Sequence, residues 1–345
     1  MRNLVSLQYL RALAALGVLV FHAADRRGVH LFDLGQMGVD LFFVISGFVM
    51  WLTSERVERT PGQFFAERIA RIAPTYWLAT LLVLGLWTAG VRQGLTHPEL
   101  MHTLKSFLFI PAQYPGKEAI YPLLIPGWTL NYEMFFYALF ALSLGLEKRL
   151  RLTVMTAVLC GLAAYGGLSK PEGAIAVTYT NPILLEFLAG MWIAAAWTRW
   201  TKPSAMVALG VMALGVALVP TLSNMWPGAP RLLMWGLPAG LIVLGAVLFE
   251  RGAKVASLPW LLLLGDASYS IYLWHFPSNP IWDRIAHALH APEPVAISAM
   301  IAGGVGLGLA MYTLVELPAR RASRTWLNVL WASKKVATGS PASGG

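Results

Sequence analysis

Long apolar runs, each able to cross a bilayer as a helix, constrain this chain more than any other feature. Runs of 17 or more mostly apolar residues lie at about 4–24, 35–53, 74–91, 127–147, 152–168, 182–198, 204–222, 231–249, 259–277 and 294–315. A run of roughly 20 such residues matches a hydrocarbon core about 30 Å thick. Lipid offers no partners to backbone N–H and C=O groups, so a spanning segment must satisfy them within a helix or a closed barrel. The runs are too long for barrel strands. The expected fold is all-α, a polytopic membrane protein of about ten transmembrane helices. Only 12% of the residues are charged, about half the share usual in a soluble domain.

Between the runs lie only loops. The stretch "LMHTLKSFLFIPA" (100–112) is too short to span and is expected at the interface or re-entrant. There is no internal repeat of 20–50 residues. One integral membrane domain is expected over 1–320, followed over 321–345 by a short basic, partly disordered cytoplasmic tail. The N-terminal run is interrupted by Arg11 and has no A-x-A cleavage signal, so it reads as a retained helix. The lone cysteine, Cys160, excludes an internal disulfide and reads as a small packing residue.

The net charge of +9 does not call for a nucleic-acid partner. With the N-terminus inside, the inner segments hold 17 of the 26 lysines and arginines and the outer segments eight; Arg11 is the remaining one. That asymmetry predicts cytoplasmic termini in a bacterial inner membrane, with membrane lipids around the spans.

Arg11 and His22 are the exceptions within the first run, "LQYLRALAALGVLVFHA" (7–23). A charge at mid-bilayer costs at least about 2.5 kcal/mol, so such a residue is a functional marker. Eleven residues at about 3.6 per turn place both on one helix face, roughly 16 Å apart along the axis. Ala15 and Val18 share that face, which points to an interior cavity. Other polar groups fall at a similar depth near the outer surface. They are Asp40 in the second run, Asn131, Glu133 and Tyr137 in the fourth, and Tyr272 and His275 in the ninth. A histidine takes a proton near neutral pH, and a carboxylate beside it can orient the ring. His275 in "YLWHFP" reads either as part of this cluster or as an interfacial-belt residue beside Trp274. Ser268, Tyr272 and His275 form one helical stripe that also suits interhelical hydrogen bonds.

On the inner side, Arg68 and Arg71 lie three apart before the third run. They suit bidentate phosphate binding or plain topology anchoring. Glu316 and Arg320 read as an i,i+4 pair. The glycines of "GGVGLGLA" (303–310) suit close helix packing rather than nucleotide binding, because no strand precedes them. There is no H-E-x-x-H and no C-x-x-C, so no metal site is expected.

Five stretches together carry a family resemblance: Arg11-x10-His22, "GVDLFFVISGFVM", "ERIARIAPTYW", "GWTLNYEMFFYALF" and "ASYSIYLWHFP". In this order, across about 5–320, the chain resembles the acyltransferase family 3 integral membrane proteins. It is most similar to short bacterial members that O-acetylate exopolysaccharide or lipopolysaccharide sugars. The resemblance implies an acyl-CoA donor, most often acetyl-CoA, used from the cytoplasm, and a hydroxyl acceptor outside, such as a surface glycan or lipid-linked saccharide. It implies His22 as the essential histidine; the expected role is general base, with Asp40 or Glu133 orienting it, and a covalent acyl-histidine relay is the competing mechanism. Arg11, Arg68, Arg71 and Tyr76 are implied donor-binding residues, and Asn131, Tyr137, Tyr272 and His275 acceptor-binding ones. Asn131-Tyr132 replaces a Ser-Val pair common before the glutamate. No esterase-like domain follows the last helix, so the membrane unit is expected to complete transfer or pass the acyl group on. The rival class is a proton-coupled transporter or flippase, which predicts a repeat with broken helices in both halves.

Overall fold

The computed structural model describes residues 4–55, 59–90, 98–200, 203–323 and 325–327. Arg2, Arg56, Arg92, Lys202, Arg324, Lys334 and Lys335 lie outside these, as does the expected tail beyond 327. Among the described residues the chain is helical, apart from loops and a single bridge pair between Gln113 and Ile120.

The helices are α1 (Val5–Asp25), α2 (Met37–Ser54), α3 (Pro61–Thr88), α4 (Leu100–Phe107), α5 (Trp128–Ser143), α6 (Lys148–Ser169) and α7 (Ala174–Tyr179). They continue with α8 (Leu184–Trp197), α9 (Ala205–Met225), α10 (Leu237–Gly252), α11 (Pro259–Asp266), α12 (Ser268–Ala288) and α13 (Glu293–Met311). A π turn, Tyr312–Glu316, prolongs α13 into a further helical segment. Eight helical stretches among the described residues are long and apolar enough to span: α1, α2, α3, α6, α7 with α8, α9, α10, and α13 with its continuation. Two of the ten expected spans miss that criterion for physical reasons. The fourth, 127–147, is α5 with 16 residues; the ninth, 259–277, breaks at Ala267 into the eight-residue α11 and the start of α12, which carries Pro277, Pro280 and many polar side chains. All three are helices within the bundle. The fold is an all-α, polytopic, multi-pass membrane protein. The short α4 stands where the interfacial piece was expected.

The faces of these helices divide by environment. α6 and α9 present large apolar side chains outward, among them Tyr165, Leu168, Met206, Val207 and Val216, as lipid-facing helices do. Cys160 lies on this exposed face of α6, because its position in the helix points away from α5 and α8; it is not the packing residue expected. α2 is mostly buried and forms the axis of the core. It approaches α8 so closely that a Cβ on Gly47 would lie 1.9 Å from the Phe187 carbonyl, and one on Gly190 2.0 Å from that of Val44. Only glycine permits this backbone contact.

Polar groups fix the rotation of α1. Its first N–H groups, Val5 and Ser6, donate to the Glu250 carboxylate of α10 at 2.9 and 2.8 Å, and the Ser6 hydroxyl adds a third bond at 2.7 Å. An acidic group at a helix N-terminus satisfies orphan donors and favours the dipole. At the other end Arg26 and Arg27 pair with Asp283 of α12, at 2.9 and 2.7 Å. α12 and α13 pack as an antiparallel hairpin, with Gly308 on Ile271 and Gly304 beside Leu19 and His275. Arg151, expected only as an inner-side charge, donates to the carbonyls of Ser143, Leu144 and Leu146 and so caps α5.

Candidate active site

The bundle holds a partly open cavity between α1, α2, α3, α5 and α12. Helical periodicity decides which side chains reach it. From α2 come Val39, Phe42, Phe43, Ile45, Ser46, Val49 and Met50. From Val39 to Met50 is eleven helical steps, so the cavity runs roughly 16 Å along the helix. From α5 come Thr129, Leu130, Glu133 and Tyr137, spaced by about one turn. Arg11, Arg71, Ile72 and Tyr269 line one end, and Thr129, Tyr272 and Val39 the other.

The middle of the wall is polar. The Tyr137 hydroxyl donates to Glu133 Oε1, and the Ser46 hydroxyl lies 3.3 Å from the same oxygen and 3.2 Å from the Tyr137 hydroxyl. Ser46 was not singled out from the sequence, because a serine in a span reads as ordinary interhelical bonding.

At the arginine end, Arg11 donates from Nε to the Ser268 hydroxyl at 3.2 Å, so Ser268 makes the interhelical bond expected of its stripe. Arg71 lines the cavity. Arg68 does not line it. Its guanidinium lies 5.6 Å from the Phe64 ring centroid and 3.7 Å from Glu67, beneath Met50. Tyr269 donates to the Ile72 carbonyl at 2.9 Å, joining α12 to α3 beside Arg71.

At the other end the structure brings two histidines together from 253 residues apart. His22 and His275 stack with ring centroids 5.3 Å apart and planes 18° from parallel. His275 is fully buried, and neither of its ring nitrogens has a hydrogen-bond partner among the described residues. That environment rules out the interfacial-belt reading. Asp25 stands about one turn beyond His22, at the end of α1. The Tyr272 ring sits 6.0 Å from His275 and 5.9 Å from Phe42, between the cavity and the histidine pair. Its hydroxyl donates to the Pro126 carbonyl at 3.0 Å and meets the Thr129 hydroxyl at 3.2 Å.

Three residues expected at the site point elsewhere. Asp40 faces away from His22: its Oδ2 takes a 2.8 Å bond from Arg231, and its carboxyl neighbours the buried Glu186 of α8. Its depth was legible, but its rotation about α2 sets it toward α8. Tyr76 is fully buried one turn past Ile72. Its hydroxyl donates to the Ser106 carbonyl at 3.1 Å, and its ring fills the space beside Gly127. Asn131 is buried on the face of α5 turned away from Glu133. Glu186 went unremarked in the sequence, although an acidic residue within a span is itself a signal. Among the described residues no group of three or more His, Cys, Asp or Glu is placed to hold a metal.

A cavity with cations at one end and a buried imidazole pair beyond the other is the candidate site of this multi-pass membrane protein. The sequence comparisons give the class. The acyltransferase domain family model matches residues 4–313, and the chain belongs to that family. It is 40% identical over 314 residues to the exopolysaccharide production protein ExoZ of Rhizobium meliloti, covering 89% of this chain and 96% of that one. It is 26% identical to the acyltransferase MdmB of Streptomyces mycarofaciens, covering 92% of each. It is 25% identical to the O-acetyltransferase OatA of Staphylococcus aureus, covering 80% of this chain and 50% of that one. No solved structure matches. The chain is thus a membrane acyltransferase, and the transporter reading loses its ground.

Proposed function

We propose that the protein moves an acyl group, most simply acetyl, from cytoplasmic acyl-CoA to a hydroxyl of an extracytoplasmic glycan such as exopolysaccharide or lipopolysaccharide. The observation that carries this reading is the cavity itself, which begins at Arg11 and Arg71 and stops at Tyr272, one helical turn before His275. A thin, charged-at-one-end donor suits such a space. Its phosphates meet the arginine end, where planar guanidinium forks match phosphate geometry. Its amide-bearing arm passes Ser46, Glu133 and Tyr137, which offer both donors and acceptors. The names of ExoZ and OatA support a polysaccharide acceptor and an acetyl donor. The inner membrane as location and cytoplasmic termini follow from the lysine and arginine asymmetry, which puts the arginine end inside.

In this reading His22 is the general base. Its ring takes the proton of the acceptor hydroxyl while that oxygen attacks the thioester carbonyl. The C–S bond then breaks, and the imidazolium returns the proton to the leaving thiolate. His275, stacked on His22, fixes the ring in the orientation that proton transfer needs.

The test is release of free CoA from acetyl-CoA by purified protein in nanodiscs, with and without a bacterial surface glycan fraction, alongside mass analysis of the glycan. Glycan-dependent CoA release with one acetyl gained per CoA is the expected result. Release without glycan modification, or none at all, overturns the reading.

A further inference from the structure

The last helical segment carries a feature that neither the cavity wall nor the histidine pair uses. Glu316 ends the π turn and is fully buried. Single-turn π bulges recur at functional positions, because they break the regular ladder and re-aim side chains. Here the Glu316 carboxylate accepts from the Ser270 hydroxyl of α12 and pairs with Arg320 one turn on. A buried charged pair is costly unless well partnered, so a simple surface i,i+4 pair is not what the structure holds.

Arg320 does not stand alone. The charges of Arg71 and Glu316 act on it, and Arg11 in turn feels Arg71, Arg320, Glu316 and Asp266. The Ser323 hydroxyl touches the Ala70 carbonyl at 3.5 Å, which sets this segment against α3 beside Arg71. Through Ser270 and Ser323 the Glu316–Arg320 pair is held against the stretches of α12 and α3 that bring Tyr269 and Arg71 to one end of the cavity. Arg11 and Arg71 line the cavity; Arg320 stands outside that lining, a quarter of its side chain exposed. Its Nε is buried without a hydrogen-bond partner among the described residues. Mutually repelling cations held together are a site for an anion, and one with more than a single charge.

We propose that Arg320, aimed by Glu316 and Ser270, is a third arm of a polyanion clamp at the cavity mouth and binds a phosphate group of the nucleotide-bearing donor. This rests on the acyl-CoA reading above and adds a residue to it. Glu316 is a positioning residue: it offsets repulsion among the arginines and holds the Arg320 fork toward the mouth.

The experiment compares acetyl-CoA, acetyl-(3′-dephospho)-CoA and acetyl-pantetheine as donors for the wild type, Arg320→Gln and Arg320→Lys, at saturating glycan. Arg320→Gln is expected to raise the donor KM roughly tenfold for acetyl-CoA, a loss of one charge-assisted bond. The acceptor KM should stay unchanged, and acetyl-pantetheine should suffer no loss. Arg320→Lys keeps the ion pair and so folds even if Arg320→Gln does not; an intermediate donor KM supports the proposal. Equal losses across all three donors, or an unchanged preference among them, overturn it and leave the acyl-CoA reading intact. A wild type that uses no CoA thioester overturns both. A defect in Arg320→Gln that follows the anionic lipid content of the nanodisc, at constant donor preference, assigns the anion to a lipid headgroup and overturns the donor assignment.

Discussion

The two ends of the cavity use opposite means to keep a polar group inside a membrane. At one end, the three cations Arg11, Arg71 and Arg320 face two acids among the described residues, Glu316 and Asp266, so positive charge is left in excess. At the other, His22 and His275 stack in an aromatic surround with no ion pair to either ring among the described residues, and His275 is fully enclosed. Excess charge calls for a ligand to complete it. An imidazole can instead stay neutral in a dry site and acquire charge only during a reaction. The first end is suited to binding and the second to proton transfer. Substitutions there should separate accordingly, into effects on donor KM and effects on kcat.

The largest effect belongs to the histidine end. His22→Ala should lower kcat by about a thousandfold, within the range for loss of a general base, with expression and thermal stability near wild type. His275→Ala should also lower kcat, by at least about tenfold, because a ring stacked on the base fixes its orientation. Steady-state rates on protein of verified fold check both. Near-wild-type transfer by His22→Ala would remove the distinction between the two ends, and full activity in His275→Ala would reduce the stack to packing.

The middle of the cavity comes next. Glu133→Gln keeps the size of the side chain but not its charge, and it weakens the bonds from Tyr137 and Ser46. A loss of roughly ten- to hundredfold in kcat/KM for the donor is expected. Measuring both substrates places Glu133 on this axis: a change only in the acceptor KM would assign it to the glycan.

Arg11→Lys tests the binding end. A snorkelling arginine is replaceable by lysine, whereas a planar fork held by Ser268 and turned into the cavity is not. Donor kcat/KM should fall roughly ten- to hundredfold with kcat little changed. A change within twofold, from acetyl-CoA titrations at saturating acceptor, would return Arg11 to anchoring.

Much of this contrast was legible in the sequence, and where it was not the reason is rotation rather than depth. Arg11 and His22 could be placed on one face because about 3.6 residues per turn fixes their relative azimuth within a single helix. The long apolar runs gave α1, α2, α3, α6, α9 and α10 for the same local reason. Asp40 had the right depth but the wrong azimuth, since nothing local to α2 says that Arg231 and Glu186 stand on that side. His275 could not be assigned to a pair or to a belt, because the answer is a contact across 253 residues. Tyr76 sits in a motif stretch, yet its hydroxyl bonds a carbonyl in the last turn of α4. The π turn at Glu316 left no mark in a pattern that reads as continuous helix.

The smallest effect on activity concerns what holds the contrast in place. Arg11 faces the cavity only because α1 keeps its rotation, and Glu250 sets that rotation by taking three hydrogen bonds from Val5 and Ser6. Glu250→Gln keeps one acceptor oxygen, but it turns an amide donor toward a donor and removes a negative charge from a helix N-terminus. The loss should be about 1–3 kcal/mol of stability, seen as a lower midpoint in thermal unfolding in detergent. Arg11 remains clamped to Ser268 more than a turn further along, and the Asp283 pairs hold the far end of α1. Donor and acceptor kinetics below the transition should therefore stay within about twofold of wild type. A donor KM raised as far as in Arg11→Lys, with the histidine-end kcat intact, would show that the arginine end depends on the cap itself. The binding end would then be the softer of the two, and its selectivity for the donor would rest on α10 as much as on the arginines.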